Sequence, residues 1–174
     1  MKNMLFIMNP KAGRTTLKNS LVDVLEVFCN NDYAVRTYLT KSADDAERIV
    51  QEEGANYDVI VCAGGDGTLG NTVTGYMKSG IKVPLGYIPC GSTNDFARSM
   101  DIPRETVEAA EMIVKAEPFS IDIGSLNDKN FVYVAAFGMF SDTSYATPQN
   151  MKNIFGHAAY VLQGIKSLAN VPSY

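Results

Sequence analysis

The sequence predicts an α/β fold, a parallel sheet with helices on both faces, and three observations carry that reading. Apolar runs of strand length alternate with segments whose apolar residues recur at helical spacing. The connections between them are short, as crossover units of this class require. Polar, glycine-rich loops follow the apolar runs, at the strand ends where ligands of such sheets bind.

Taken in order, residues 4–8 form an apolar run ended by Asn9-Pro10 and read as a buried first strand. Thr15 or Thr16 is placed to cap a helix whose apolar positions are Leu17, Leu21, Val24, Leu25 and Phe28. Residues 34–39 read as a second strand. Ser42 then precedes a helix carrying Ala43, Ala46, Ile49 and Val50, with a stop at Gly54. Residues 58–62 give the third strand and residues 69–77 the third helix, ending near Gly80. A fourth strand over 83–88 leads into a polar loop, and Asp101-Ile102-Pro103 marks a turn before a helix over 106–115.

After Pro118 the pattern changes. Residues 120–126 and 131–136, separated by Asn127-Asp128-Lys129-Asn130, read as a β-hairpin rather than another crossover unit. Residues 138–148 are loop-like and residues 156–168 helical. The expected organisation is an α/β domain over 1–119 and the opening of a β-rich second domain over 120–174, its remainder absent.

Composition bounds the function. Hydrophobic residues make up 46% and charged residues 20%, the balance of a soluble globular domain able to fill a core. A net charge of −4 with no dense Lys/Arg run gives no footing for nucleic acid. Cys29, Cys62 and Cys90 are scattered without a CxxC pair, which fits thiols in a reducing cytosol and neither a disulfide scaffold nor a zinc site. The run 4–8 is too short for a signal peptide, and no stretch approaches the roughly 18 apolar residues of a membrane span. A cytoplasmic protein with at most peripheral membrane contact is expected.

Three segments carry chemistry. Gly64-Gly65-Asp66-Gly67-Thr68 stands between the third strand and third helix, the setting in which free backbone N–H groups receive phosphate. Asp66 is placed to bind or orient a magnesium ion or a hydroxyl. The segment is neither a Walker loop nor a full dinucleotide fingerprint, and its structural alternative is a tight turn with Asp66 capping the helix. Asn9-Pro10-Lys11-Ala12-Gly13-Arg14 follows the first strand. Its basic residues suit phosphate charge, while its alternative is a strand-ending turn. Gly91-Ser92-Thr93-Asn94-Asp95-Phe96-Ala97-Arg98 offers hydroxyls, an amide, a carboxylate and a guanidinium at a loop-to-helix corner. The alternative there is an N-cap, with Phe96 as core. All three follow strands, so a parallel sheet gathers them at one edge. The lone His157 reads as a packing or surface residue, and Tyr133, Tyr145 and Tyr160 read as packing residues in preference to the lining of a lipid cleft.

These motifs, in this order, resemble the catalytic domain of the diacylglycerol kinase and sphingosine kinase superfamily, in particular its soluble bacterial diacylglycerol kinase group. Ile121-Asp122-Ile123-Gly124 and Gly156-His157-Ala158-Ala159-Tyr160 extend the resemblance over essentially the whole chain. It implies an ATP-dependent lipid kinase that phosphorylates the hydroxyl of diacylglycerol to phosphatidic acid at the inner membrane face. The ATP positions it implies are Asn9, Pro10, Lys11, Ala12, Gly13, Arg14, Thr40, Gly64, Gly65, Asp66, Gly67, Thr68, Leu69, Gly70, Asn71, Ser92 and Asn94. Asp66 and Asp95 are its catalytic carboxylates, and Asp66 is its Mg2+ residue. A homodimer is left open. Two departures stand out. The family commonly carries Asn-Glu where this chain has Gly70-Asn71, and its members continue into a second domain that holds the proposed general base. An inactive truncated product is therefore expected to be one outcome. The alternatives are an NAD kinase, because that family shares the Gly-Gly-Asp-Gly element, or a non-catalytic nucleotide-binding remnant.

Overall fold

The computed structural model describes residues 1–12, 16–126 and 129–132. Its centre is a parallel sheet of four strands, β1 (Lys2–Met8), β2 (Tyr33–Leu39), β3 (Val59–Gly64) and β4 (Leu85–Pro89), in the order β2-β1-β3-β4. The long helices are α1 (Thr16–Asn30), α2 (Asp45–Glu53), α3 (Asp66–Ser79) and α5 (Thr106–Lys115). A short α4 (Asp95–Ser99) follows β4, and a 3-10 turn over Gly54–Asn56 follows α2. An antiparallel hairpin, β5 (Gly124–Leu126) with β6 (Lys129–Phe131), comes last.

The inner strands are apolar over residues 4–8 and 59–63 because both of their faces are covered there. Met4, Phe6 and Met8 of β1, with Val59, Val61 and Ala63 of β3, meet Val24 and Phe28 of α1 and Ala109 and Ala110 of α5. Leu5, Ile7 and Ile60 point the opposite way, onto Ala46, Ile49 and Val50 of α2. Cys62 on that second face joins Leu69 and Val73 of α3, Tyr87, Phe96 and Ala97, with Ile123 and Val132 of the hairpin region packed against them. Phe6 and Phe28 are fully buried and meet edge to face at 5.6 Å. Each ring contributes roughly 1.5–3 kcal/mol relative to exposure.

Several bounds differ from the sequence reading, each for a visible reason. β1 begins at Lys2 because Lys2 and Asn3 pair with Tyr33 and Ala34, although neither is apolar. α3 begins at Asp66 rather than at residue 69, and it ends at Gly80, which is left-handed (φ 66). β4 starts after Pro84, which has no N–H to donate. α2 starts at Asp45, so Ala43 lies ahead of it rather than on it, and the Ser42 amide donates to the Asp45 carboxylate. The second hairpin strand begins at Lys129, two residues earlier than the spacing suggested. The capping role of Thr15, and everything expected of residues 133–174, lies outside the described residues.

The strand order creates the feature that positions the site. β1 has β2 on one side and β3 on the other, so the chain reverses direction across the sheet between β1 and β3. The carboxyl ends flanking such a reversal leave a crevice, where open α/β sheets bind ligands.

Candidate active site

Asn9 follows β1 on one side of that crevice, and the Gly-Gly-Asp turn follows β3 on the other. Asn9 spans the gap: its amide nitrogen donates to the Thr68 hydroxyl at 3.0 Å, and its backbone N–H donates to the Ala63 carbonyl at 3.0 Å. Its Oδ1 accepts from the Lys11 amide at 2.9 Å, and its own carbonyl accepts from the Ala12 N–H at 3.1 Å. Such a turn is what an Asn-Pro start favours. Pro10 and Lys11 are exposed and Ala12 half-buried, while Gly13 and Arg14 lie outside the described residues. Thr40, after β2, is buried, and its amide donates to the Met8 carbonyl at 2.9 Å.

The Gly-Gly-Asp turn lies directly against the loop after β4. A Cβ on Gly91 would fall 2.6 Å from the Cα of Gly65, and one on Gly65 would fall 3.2 Å from the Cα of Gly91. Two backbones meet there with no room for side chains, which is why glycine stands on both sides. The Gly64 carbonyl accepts from the Cys90 amide at 2.7 Å and from the Tyr87 hydroxyl at 3.1 Å. Tyr87 also packs on Phe96, with ring centroids 6.0 Å apart. Burial, and secondarily the charge of Asp66, push its hydroxyl well above the ordinary tyrosine range, so it stays a donor.

Asp66 joins the two loops. One carboxylate oxygen accepts from the Thr93 hydroxyl at 3.2 Å and from the Asp95 amide at 3.1 Å, and the other accepts from the Phe96 amide at 3.2 Å. Those amides open α4. Asp66 therefore caps a helix, as the structural alternative held, but one that begins 29 residues further on. Its own helix starts from Gly65 without a side-chain cap. At the head of α4, Asn94 is left-handed (φ 53) and buried, and both ends of its amide close on Gly91: Oδ1 accepts from the Gly91 N–H at 2.7 Å and Nδ2 donates to its carbonyl at 2.9 Å. Asn and Asp tolerate this conformation better than other side chains.

The remaining expected residues fall into three groups. Gly67 is exposed and Gly70 half-buried, and a Cβ on either would meet nothing within 4 Å. Leu69 is 2% exposed and packs in the core beside Cys62 and Tyr87, so only its backbone faces the turn. Among the described residues the half-buried Ser92 hydroxyl has no hydrogen-bond partner, and the Asp95 carboxylate forms one ion pair, with Arg98 at 3.9 Å. Asn71 reaches sideways to the Ala43 carbonyl at 2.7 Å. The sequence reading missed Tyr87, since an aromatic residue in an apolar strand signals only core. Thr93 was noted in its motif but given no role.

Residues 3–126 match the model of the diacylglycerol kinase catalytic domain. The chain belongs to that family. It is 36% identical to the diacylglycerol kinase of Bacillus subtilis (strain 168) over 173 residues, covering 98% of this chain and 57% of that protein. It is likewise 36% identical over 171 residues to a diacylglycerol kinase of Staphylococcus aureus (strain NCTC 8325 / PS 47), covering 96% of this chain and 53% of the relative. The chain thus spans about half the length of the curated relatives it matches. The crystal structure of a diacylglycerol kinase from Bacillus anthracis str. Sterne superposes with a TM-score of 0.69 at 31% identity, over 75% of this chain and 45% of that one. A second structure from the same organism, of a putative diacylglycerol kinase, gives a TM-score of 0.70 at the same identity, over 75% of this chain and 48% of its own. Family membership agrees with the parallel sheet and with the order of the three loops. Among the described residues no helix is long and apolar enough to cross a membrane.

Proposed function

We propose that this chain is the nucleotide-binding part of an ATP-dependent lipid kinase, which transfers the γ-phosphoryl group to the free hydroxyl of diacylglycerol and yields phosphatidic acid. The observation that carries the reading is the Asp66 carboxylate, which ties the Gly-Gly-Asp turn, beside the reversal point of the sheet, to the head of α4 after β4. Phosphoryl transfer asks the protein for positioning and for stabilisation of charge on phosphate oxygens, and little else. The amides of Asp66 and Gly67 precede the first intrahelical bond of α3, which runs from the Thr68 amide to the Gly65 carbonyl, and they stand at the turn beside Asn9. They suit the phosphate oxygens, with Lys11 and, by family resemblance, Arg14 as positive charge. The Ser92 hydroxyl suits the nucleotide or the acceptor.

The donor set is hard oxygen, which suits magnesium carried on nucleotide phosphates. Among the described residues no group of three or more His, Cys, Asp or Glu forms a cage of its own. Three of the roughly four lone-pair positions of Asp66 already accept hydrogen bonds. Asp66 thus has one to offer and Asp95 most of its carboxylate. A bound magnesium ion supplies neutralisation of phosphate charge. Asp66 holds α4 and the turn at fixed spacing, while Asp95 stands at the loop that would meet the acceptor hydroxyl. The lipid would be met at a membrane surface through peripheral contact.

The test is transfer of label from radioactive ATP to diacylglycerol in mixed micelles. It is run on this chain alone and on the chain completed with the part of the Bacillus subtilis relative that it does not cover. Labelled phosphatidic acid from the completed protein is the expected result. Labelling of NAD instead would move the assignment to an NAD kinase, and no transfer to any lipid would overturn the reading.

A further inference from the structure

The β2–α2 loop, residues 40–44, lies at the same sheet edge as the three motif loops yet belongs to none of them. It is fastened at three places. Thr40 donates its amide to the Met8 carbonyl, and the amides of Lys41 and Ser42 donate to Asp45 Oδ2 at 2.6 and 3.1 Å. The third fastening is Asn71, whose Nδ2 donates to the Ala43 carbonyl at 2.7 Å across 28 residues of chain. The first two are made by the loop's own strand neighbour and helix. The third comes from α3, little more than a turn beyond the Gly-Gly-Asp turn itself. α2 and α3 also pack directly further along, Gly75 lying against the Glu47 backbone, and Lys78 pairs with Glu47 at 2.7 Å near the end of α3.

We propose that Asn71 is a positioning residue of the nucleotide site: it clamps the 40–44 loop to α3 and so holds Thr40 and the end of β1 in register with the Gly-Gly-Asp turn. The proposal rests on the nucleotide reading given above and adds a fourth loop to it. Its chemistry needs a hydrogen-bond donor facing the Ala43 carbonyl, whereas a carboxylate at the same position has no proton to give and sets oxygen against oxygen. Where the resembled family commonly carries Glu, this chain has a donor whose partner is its own backbone. The role of Asn71 is therefore to place the loop, with its amide turned away from any ligand.

The test compares the whole chain with Asn71→Asp and Asn71→Gln. Three quantities are measured: the dissociation constant for magnesium-ATP, hydrogen exchange at the amides of residues 41–45, and the melting temperature. Asn71→Asp is expected to weaken nucleotide binding about three- to tenfold, the worth of one hydrogen bond. It should speed exchange within 41–45 only, with the melting temperature nearly kept, and Asn71→Gln should recover part of both losses. Weakened binding with unchanged exchange in the loop would mean direct contact with the nucleotide and would overturn the clamp. So would unchanged binding, or faster exchange spread over the whole domain. A wild-type chain that binds no nucleotide overturns the site reading itself, an outcome separate from these because it does not involve the variants.

Discussion

Asp45 and Asp66 each organise a loop at the carboxyl edge of the sheet, and they do it over different reaches. Asp45 accepts from amides three and four residues before it and from Arg48 three residues after it. Asp66 accepts from Thr93, Asp95 and Phe96, 27 to 30 residues away. The Asp45 motif is a local closure that any chain with this short sequence can make. The Asp66 tie exists only after β3 and β4 have paired and brought Gly65 against Gly91. A site built from the second kind of contact is coupled to the integrity of the sheet, and a site built from the first is not.

Breaking the long-range contact should have the largest effect. Gly91→Ala puts a Cβ 2.6 Å from the Gly65 Cα, a backbone that has no side chain to swing aside. A loss of about 1–3 kcal/mol is expected, the usual cost of overpacking, together with loss of nucleotide binding. Gly65→Ala, with its nearest atom at 3.2 Å, should cost less. Chemical denaturation of both variants checks the order, and a Gly91→Ala protein as stable as the parent would deny the contact. Asp66→Ala comes next. Removing the shared acceptor leaves the Asp95 and Phe96 amides without it and should cost about 1–3 kcal/mol. Exchange should rise at the head of α4 while the sheet stays protected, and the completed enzyme should lose transfer. Asp66→Asn, which keeps one acceptor oxygen, should fall between Ala and the parent.

Breaking the local closure should matter least, and its pH dependence has a definite sign. Hydrogen bonds from the Lys41 amide first, and from Arg48 next, hold the Asp45 carboxyl down to about 2. A carboxyl held below its unfolded value of about 3.9 adds stability that is complete above that value and is lost as the pH falls through 2. Acid titration of the melting temperature should therefore show a small extra decline between roughly pH 4 and pH 2 in the parent, absent from Asp45→Asn. Because the group is at the surface, the difference should be small and should shrink in salt. Equal profiles for the two proteins would show that Asp45 does not stabilise the loop.

The same contrast in range explains what was legible in the sequence. α5 falls on the predicted bounds, because its period and both flanking turns are local signals. The gathering of three loops at one edge was legible too, since it follows from parallel strands and not from any side chain. The start of α3 was hidden by Asp66 and Gly67, poor helix formers that the Gly65 carbonyl nonetheless draws into the first turn by accepting from Thr68 and Leu69. Within the site, Asn9 and Asp66 announce themselves as polar residues in loops, but their partners do not. That Asp66 reaches the head of α4 and that Leu69 packs inward depend on where distant segments come to rest. Tyr87 is the clearest case: its hydroxyl finds the Gly64 carbonyl only because β3 and β4 are in register.

The strand order has a consequence for how such a chain acquires its site. β1 is made first, yet it occupies the interior of the sheet and needs β3, through the pairing of Met4 with Val59, to cover its second edge. Until β3 has emerged during synthesis, the edge of β1 that it covers has no partner strand. Parallel pairing over such separations is slow, and an exposed apolar edge invites association with other chains. The Asn9–Thr68 bond across the reversal point needs that edge to be filled, so the crevice depends on the pairing of strands distant in the chain.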